Sequence, residues 1–251
     1  MSRPKQKVVF FGCSYSLDLP TTLIKGYPPN GRRIDDEIDF QPRAFAQGGS
    51  SNDNIINRVY EYVNSEEYKP TDILNIQYSY TNRLWLPSRL KGAETSFHGL
   101  NGSAITKMNG ARYEKMLLQF YENFMVLFYD NKLYFENLLM KVDMLRSYLD
   151  SKNVKYVHFL HSTNSHYVET INNNGLLSDR HKEDEVSWNT PIKFEVDDLK
   201  KYNLIDFDNF VCMEDWSISN DYIISKANLH LPQEKCYHVI DVLKPHWKKI
   251  I

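Results

Sequence analysis

The sequence predicts an α/β protein with a mostly parallel sheet covered by helices on both faces, and three observations lead there. Short β-branched and aromatic runs at residues 7–11, 72–80 and 154–160 have strand length and end in turn residues. Longer stretches of helical spacing separate them, and strand–helix–strand order is the pattern of parallel pairing. Finally, 251 residues with 42% hydrophobic and 14% aromatic side chains suffice for one large domain with a real core. No internal repeat or low-complexity tract interrupts the chain. A single domain over residues 1–251 is expected, with insertions at 87–112 and 161–200.

Each element has its own warrant. Val8, Val9, Phe10 and Phe11 follow Lys7 and stop at Gly12, as a buried strand entering a tight turn does. Residues 39–46 are a weaker strand candidate, closing at Gly48-Gly49. Ser50-Ser51-Asn52 then offers N-cap side chains, and Ile55, Ile56, Val59, Tyr60 and Val63 recur at helical spacing, predicting a helix to about Asn64. Residues 72–80 (DILNIQYSY) read as the next buried strand. Residues 87–112 hold Gly92, Gly99, Gly102 and Gly110 among polar residues with no sustained period, which predicts a long surface loop suited to act as a lid. Helical spacing resumes from residue 113 to about 151, with a break near Tyr129-Asp130-Asn131. A strand over 154–160 follows Lys152-Asn153, residues 161–200 are polar and irregular, and 233–243 after Pro232 predict the last helix.

Charge and cysteine usage exclude several function classes. Lys+Arg at 30 against Asp+Glu at 32 leaves a net charge of −2, which argues against nucleic-acid binding driven by bulk charge. Cys13, Cys212 and Cys236 are odd in number, far apart and without a CxxC pair, so neither a disulfide framework nor a structural zinc site is expected, and a reducing compartment fits. Residues 1–7 are basic, but the apolar run after them is too short for a signal peptide, and no stretch approaches the roughly 18 apolar residues that cross a bilayer. A soluble cytoplasmic protein with no membrane partner is expected.

In parallel sheets ligands meet the carboxyl ends of the strands. That rule selects three turns: Gly12-Cys13-Ser14, Gly48-Gly49-Ser50-Ser51-Asn52 and Ser79-Tyr80-Thr81-Asn82-Arg83. Ser14 is suitably placed for a nucleophile near a helix N-terminus, although Ser14 or Ser16 equally suits a capping role. The second turn can aim backbone N–H groups and an amide at a developing oxyanion, or simply join strand to helix. His230, in Asn228-Leu229-His230-Leu231-Pro232, is a candidate base toward Ser14 or a structural histidine. Cys13 should point away from Ser14 and fill the core. His158, His161 and His166 invite a metal reading, but they straddle a strand end and a loop with only Glu169 as a carboxylate, so no metal is assigned. The charged run 180–185 reads as a solvated loop. Arg83, Trp85 and Arg89 suit a sugar or anion cleft, or surface packing.

Taken in order, these blocks resemble those of the SGNH (GDSL-type) hydrolase superfamily. Gly12-Cys13-Ser14 is similar to the first block, whose serine is the nucleophile, and Gly48-Gly49-Ser50-Ser51-Asn52 to the second, where a glycine N–H, here that of Gly49, joins the oxyanion hole. Residues 79–83 resemble the variant third block of phage-associated and polysaccharide-modifying members, whose usual form is Gly-x-Asn-Asp. Asn82 falls one residue late and Thr81 occupies the slot itself, so Asn82 or Asn52 is available as the oxyanion amide. The last block, usually Asp-x-x-His then Leu, is matched by Ala227-Asn228-Leu229-His230-Leu231, with Cys236-Tyr237 in the frame that follows. The resemblance spans residue 7 to about 243.

The resemblance implies a three-layer α/β/α flavodoxin-like sandwich. It also implies a serine esterase or deacylase, removing an O-acyl group such as acetyl from a carbohydrate or small ester, with no cofactor and no metal. Ser14 would attack, His230 would act as base, and Ser79, Thr81, Arg83 and Trp85 would line the substrate cleft. Ala227 stands where the family has its histidine-orienting aspartate. That leaves a Ser14–His230 dyad, a carboxylate supplied by Asp221 or Asp215, or a catalytically silent glycan- or protein-binding module. Passing the acyl group to another hydroxyl, as an O-acyltransferase, is the further alternative, favoured if residues 87–112 exclude water. The block variants lean toward a viral source, while the acyl group and oligomeric state stay open.

Overall fold

The computed structural model describes residues 7–13, 43–46, 50–79, 84–87, 97–100, 119–120, 123–124, 127–160, 210–212 and 233–250. In chain order the elements are β1 (Val8–Phe11), β2 (Arg43–Ala44), α1 (Asn52–Val63), β3 (Ile73–Tyr78), β4 (Leu84–Pro87), β5 (Phe97–Leu100), α2 (Asn131–Ser151), β6 (Lys155–Leu160), β7 (Phe210–Cys212) and α3 (Gln233–Ile250). The fold is α/β. Five strands pair in parallel in the order β2-β1-β3-β6-β7, and β4 pairs with β5 as a separate antiparallel ribbon. With the ribbon set aside, this is a doubly wound order whose winding direction reverses between β1 and β3.

Local chemistry explains the helix starts. The Ser51 hydroxyl caps α1 by accepting from Asn54 N–H, and Asp53 places negative charge in the first turn, where the helix dipole favours it. Asp130 caps α2 by accepting from Leu133 N–H at 2.7 Å, which is the physical basis of the break expected at residues 129–131. After α2 the chain turns at Asn153, whose φ of 53° is one that asparagine tolerates better than most residues.

Strand alternation sends neighbouring side chains to opposite faces. Val9, Phe11, Leu74, Ile76 and Tyr78 join Ile55, Val59 and Tyr62 of α1 and Leu138, Leu139, Val142, Leu145 and Leu149 of α2 in one buried core. The alternate residue Phe10 instead meets Trp247 of α3 edge to face, at 5.9 Å between ring centroids. Asn75, also out of phase with Leu74 and Ile76, accepts a hydrogen bond from Trp247 Nε1 at 3.4 Å. Among the described residues no helix is long and apolar enough to cross a membrane.

Several expectations need correction. The segment read as a surface loop over 87–112 contains β5, paired with β4 through Leu84↔Leu100 and Pro87↔Phe97. Four residues interrupted by Gly99 show no period of their own, so pairing rather than pattern makes the strand. The second strand shrinks to Arg43–Ala44 within the described part of 39–46. The last helix runs on to Ile250, through Pro245, because Leu243 and Trp247 lie one turn apart and are both fully buried, so packing outweighs the missing N–H. β7 had no sequence assignment: three residues are too few to show a pattern.

Candidate active site at the carboxyl edge of the sheet

β1 and β3 lie side by side with Phe11 opposite Ile76, so both strands end at the same edge. Gly12 and Cys13 follow β1 directly, and Ser79 follows β3. Gln77 Nε2 lies 3.4 Å from Cys13 Sγ, a buried contact between the two strand ends. Cys13 is fully buried, as its expected core role requires. In a doubly wound sheet, the crevice where winding reverses is the place ligands enter.

The start of α1 lies against this edge. Asn52, the first residue of α1, makes two buried hydrogen bonds to one residue at the end of β3. Its Oδ1 accepts from Ser79 N–H at 2.6 Å, and its Nδ2 donates to Ser79 O at 2.9 Å. A primary amide offers one acceptor and a donor pair, so it satisfies the amide N–H and the carbonyl of Ser79 together.

A second line of bonds links Phe45 and Ser50 to α1. Phe45 N–H donates to Phe10 O at 2.7 Å, and Arg58 Nη1 donates to Phe45 O at 2.9 Å. Arg58 Nε donates in turn to Asn54 Oδ1 at 3.2 Å, and Asn54 Nδ2 to Ser50 Oγ at 3.3 Å. Phe45 and Ser50, which flank residues 47–49, are thereby tied to one helix. Ser50, Ser51, Asn52, Gln77 and Ser79 are all buried, so the floor of the edge is made of amides and hydroxyls.

Just inside the edge, the Tyr78 hydroxyl and His158 Nδ1 share a buried hydrogen bond of 3.0 Å. Burial, and next the charge of Arg146, lower the His158 pKa to about 3, so the imidazole is neutral at ordinary pH. Its Nε2 is buried with no hydrogen-bond partner among the described residues. Burial likewise pushes the Tyr78 phenol well above its ordinary range. Among the described residues no group of three His, Cys, Asp or Glu side chains is arranged to hold a metal ion.

Of the residues singled out from sequence, the structure brings Asn52 and Ser79 together and puts Trp85 in β4. Ser14, Gly49, Thr81, Asn82, Arg83, Asp215, Asp221, His161, His166 and His230 lie outside the described residues. Asn52, expected as one of two possible oxyanion amides, has its oxygen and one N–H committed to Ser79. Ser79, expected in the substrate cleft, is 4% exposed, and its backbone is what Asn52 holds. Sequence reading missed Asn54, Arg58 and Gln77. The available signal was the i, i+4 spacing of Asn54 and Arg58 at the start of a helix.

No family model matches the chain, and no curated protein does. Among solved structures it is similar to an acetyl xylan esterase, AlAXEase, at 12% identity over 98% of this chain and 100% of that one, with a TM-score of 0.46. That similarity is too distant to transfer chemistry.

Proposed function

We propose that the protein is a serine esterase or deacylase of the SGNH type, a three-layer α/β/α domain that removes an O-acyl group from a carbohydrate or small ester. Ser14 Oγ attacks the acyl carbonyl while His230 takes its proton. The Gly49 N–H and the Asn82 amide stabilise the oxyanion that forms. Collapse expels the alcohol, protonated by His230, and leaves an acyl-serine. His230 then deprotonates a water that releases the acid and restores Ser14. Asp221 or Asp215 is available to orient His230 in place of the missing aspartate at Ala227; otherwise the pair works as a dyad.

The observation that carries this reading is the convergence at one edge. Cys13, immediately before Ser14 in sequence, and Asn52, three residues after Gly49, both contact the carboxyl end of β3, which precedes residues 80–83 in sequence. Residues adjoining three of the sequence blocks thus come together at the carboxyl ends of β1 and β3, which supports the reading.

Hydrolysis of p-nitrophenyl acetate by wild type, Ser14→Ala and His230→Ala tests the proposal. Each variant is expected to lose about 10³-fold or more in kcat/KM. Equal inertness of all three proteins, with retained glycan binding, would instead favour the silent binding module.

A further inference from the structure

We infer that the outer face of α2 is the seam of a dimer, on which α2 of a second copy of this chain packs side by side and in the same direction. The inference is independent of the esterase reading. Leu138, Val142, Leu145 and Leu149 bury the inner face of α2 in the core. The opposite face carries Leu133, Asn137, Met140, Met144, Ser147 and Ser151, all exposed. Their alternating spacing of four and three residues is the a/d repeat of two-stranded helix packing, and it is kept along about 27 Å of helix. No charged residue lies on this stripe, whereas α1 exposes Asp53 and Glu61, and α3 exposes Asp241, Lys248 and Lys249. Leu133, Met140 and Met144 are 59%, 48% and 61% exposed, and the other exposed large hydrophobics among the described residues, Phe120, Leu127 and Phe128, precede the same helix. The solvent face of a surface helix is ordinarily charged or polar, so an uncharged stripe in this repeat fits a face that is covered.

The rows beside the stripe point to the occupant. Glu136, Asp143 and Asp150 line one side, and Tyr134, Lys141 and Tyr148 line the other. In an antiparallel pair the acidic row would face itself, at a cost in repulsion. In a parallel pair it faces the row containing Lys141, which brings Glu136 of one copy to Lys141 of the other. Lys141 Nζ already donates to Asp53 Oδ1 at 2.5 Å, but that pair is exposed and an ammonium has three donors, so a second carboxylate can share it. Asp143 is held within its own helix by Arg146 at 2.9 Å. Parallel pairing also sets Asn137 against Asn137 at an a position, where a lone asparagine specifies register and oligomeric state at a cost in affinity. The stripe and its flanks are thus complementary to a copy of themselves, the condition for a closed twofold dimer. With an asparagine within it and two serines at one end, the seam belongs to the weak class of interfaces, with a Kd on the order of 10 μM.

Sedimentation equilibrium of the full chain from about 1 to about 200 μM tests the proposal. Wild type is expected to pass from monomer to dimer across this range. Met140→Glu/Met144→Glu is expected to raise Kd at least about 30-fold with Tm unchanged, since both side chains face solvent in the monomer. Met140→Ser/Met144→Ser, expected to weaken dimerisation about 10-fold, serves if the glutamate variant fails to fold. Asn137→Cys under mild oxidation reads the direction: the parallel seam brings the two thiols within disulfide reach, so a covalent dimer absent from wild type accumulates. A wild type that stays monomeric throughout overturns the inference and leaves the stripe to a different protein partner. A dimer indifferent to the methionine substitutions overturns it by placing the interface elsewhere, and a dimer sensitive to them that forms no disulfide through position 137 overturns it in favour of an antiparallel pair.

Discussion

At the amino end of β3, Asp72 accepts from the Tyr62 hydroxyl at 2.6 Å and from Lys69 N–H at 2.9 Å, with Lys7 Nζ 3.3 Å away. At the carboxyl end of the same strand, Ser79 is held by the neutral amide of Asn52, and Gln77 reaches Cys13. Both ends are buried and both are hydrogen-bonded, but one is built around a carboxylate and the other from amides, hydroxyls and a thiol. A buried carboxylate with three partners is a rivet: it stabilises what surrounds it and becomes costly if any partner is removed. The phenol of Tyr62 shows the same environment from the other side, its pKa driven far up by burial first and then by Asp72. Neutral dipoles fixed at the other end suit a different task, since they stabilise a developing negative charge without repelling it. The amino end should therefore govern stability, and the carboxyl end chemistry.

The sharpest way to break this comparison is Asp72→Ala. Removing the carboxylate leaves the Tyr62 hydroxyl buried without its acceptor and Lys7 without its counter-ion, which should cost about 2–4 kcal/mol in urea unfolding. Under the proposed function, hydrolysis of p-nitrophenyl acetate per folded molecule should be unchanged. A large activity loss at intact stability would show that the two ends are not separate in role.

A smaller effect sharpens the same contrast through pH. His158 pairs with Tyr78, the last residue of β3, and its folded pKa of about 3 lies below the unfolded value of about 6.5. The unfolded chain therefore binds the proton first as acid is added. The stability contributed by the neutral imidazole is fully present above pH ~6.5 and is lost as pH falls toward 3, at up to about 1.4 kcal/mol per unit. Between pH 7 and pH 5 the loss should approach about 2 kcal/mol. A Tyr78→Phe/His158→Leu double variant removes both partners together and should flatten that part of the profile. An unchanged acid slope in the double variant would contradict the assignment.

Much of the fold was legible because its signals are local. The runs at 7–11, 72–80 and 154–160 carry their own apolar and β-branched character, and Ser51 and Asp130 carry their own capping oxygens. β5 and β7 were not legible, since three or four residues become a strand only when a partner lies alongside. The reach of α3 past Pro245 depends on Trp247 filling space against Phe10 of β1, which no window of sequence around the proline reports. At the candidate site, the rule for carboxyl ends of parallel strands pointed to Cys13, Asn52 and Ser79, whose neighbours in sequence lie outside the described residues. The hydrogen bonds of Asn52 to Ser79 stayed hidden because the partner is 27 residues away, and an asparagine beside a helix start reads first as a cap or an oxyanion donor.

The central claim, that the carboxyl edge beside Gly12-Cys13 is where the chemistry occurs, is tested most directly by treating the full chain with a fluorophosphonate and locating the adduct by peptide mass spectrometry. The account requires stoichiometric labelling at Ser14, slowed about 10³-fold or more by His230→Ala and unaffected per folded molecule by Asp72→Ala. No adduct, or an adduct on a serine away from this edge, would contradict it.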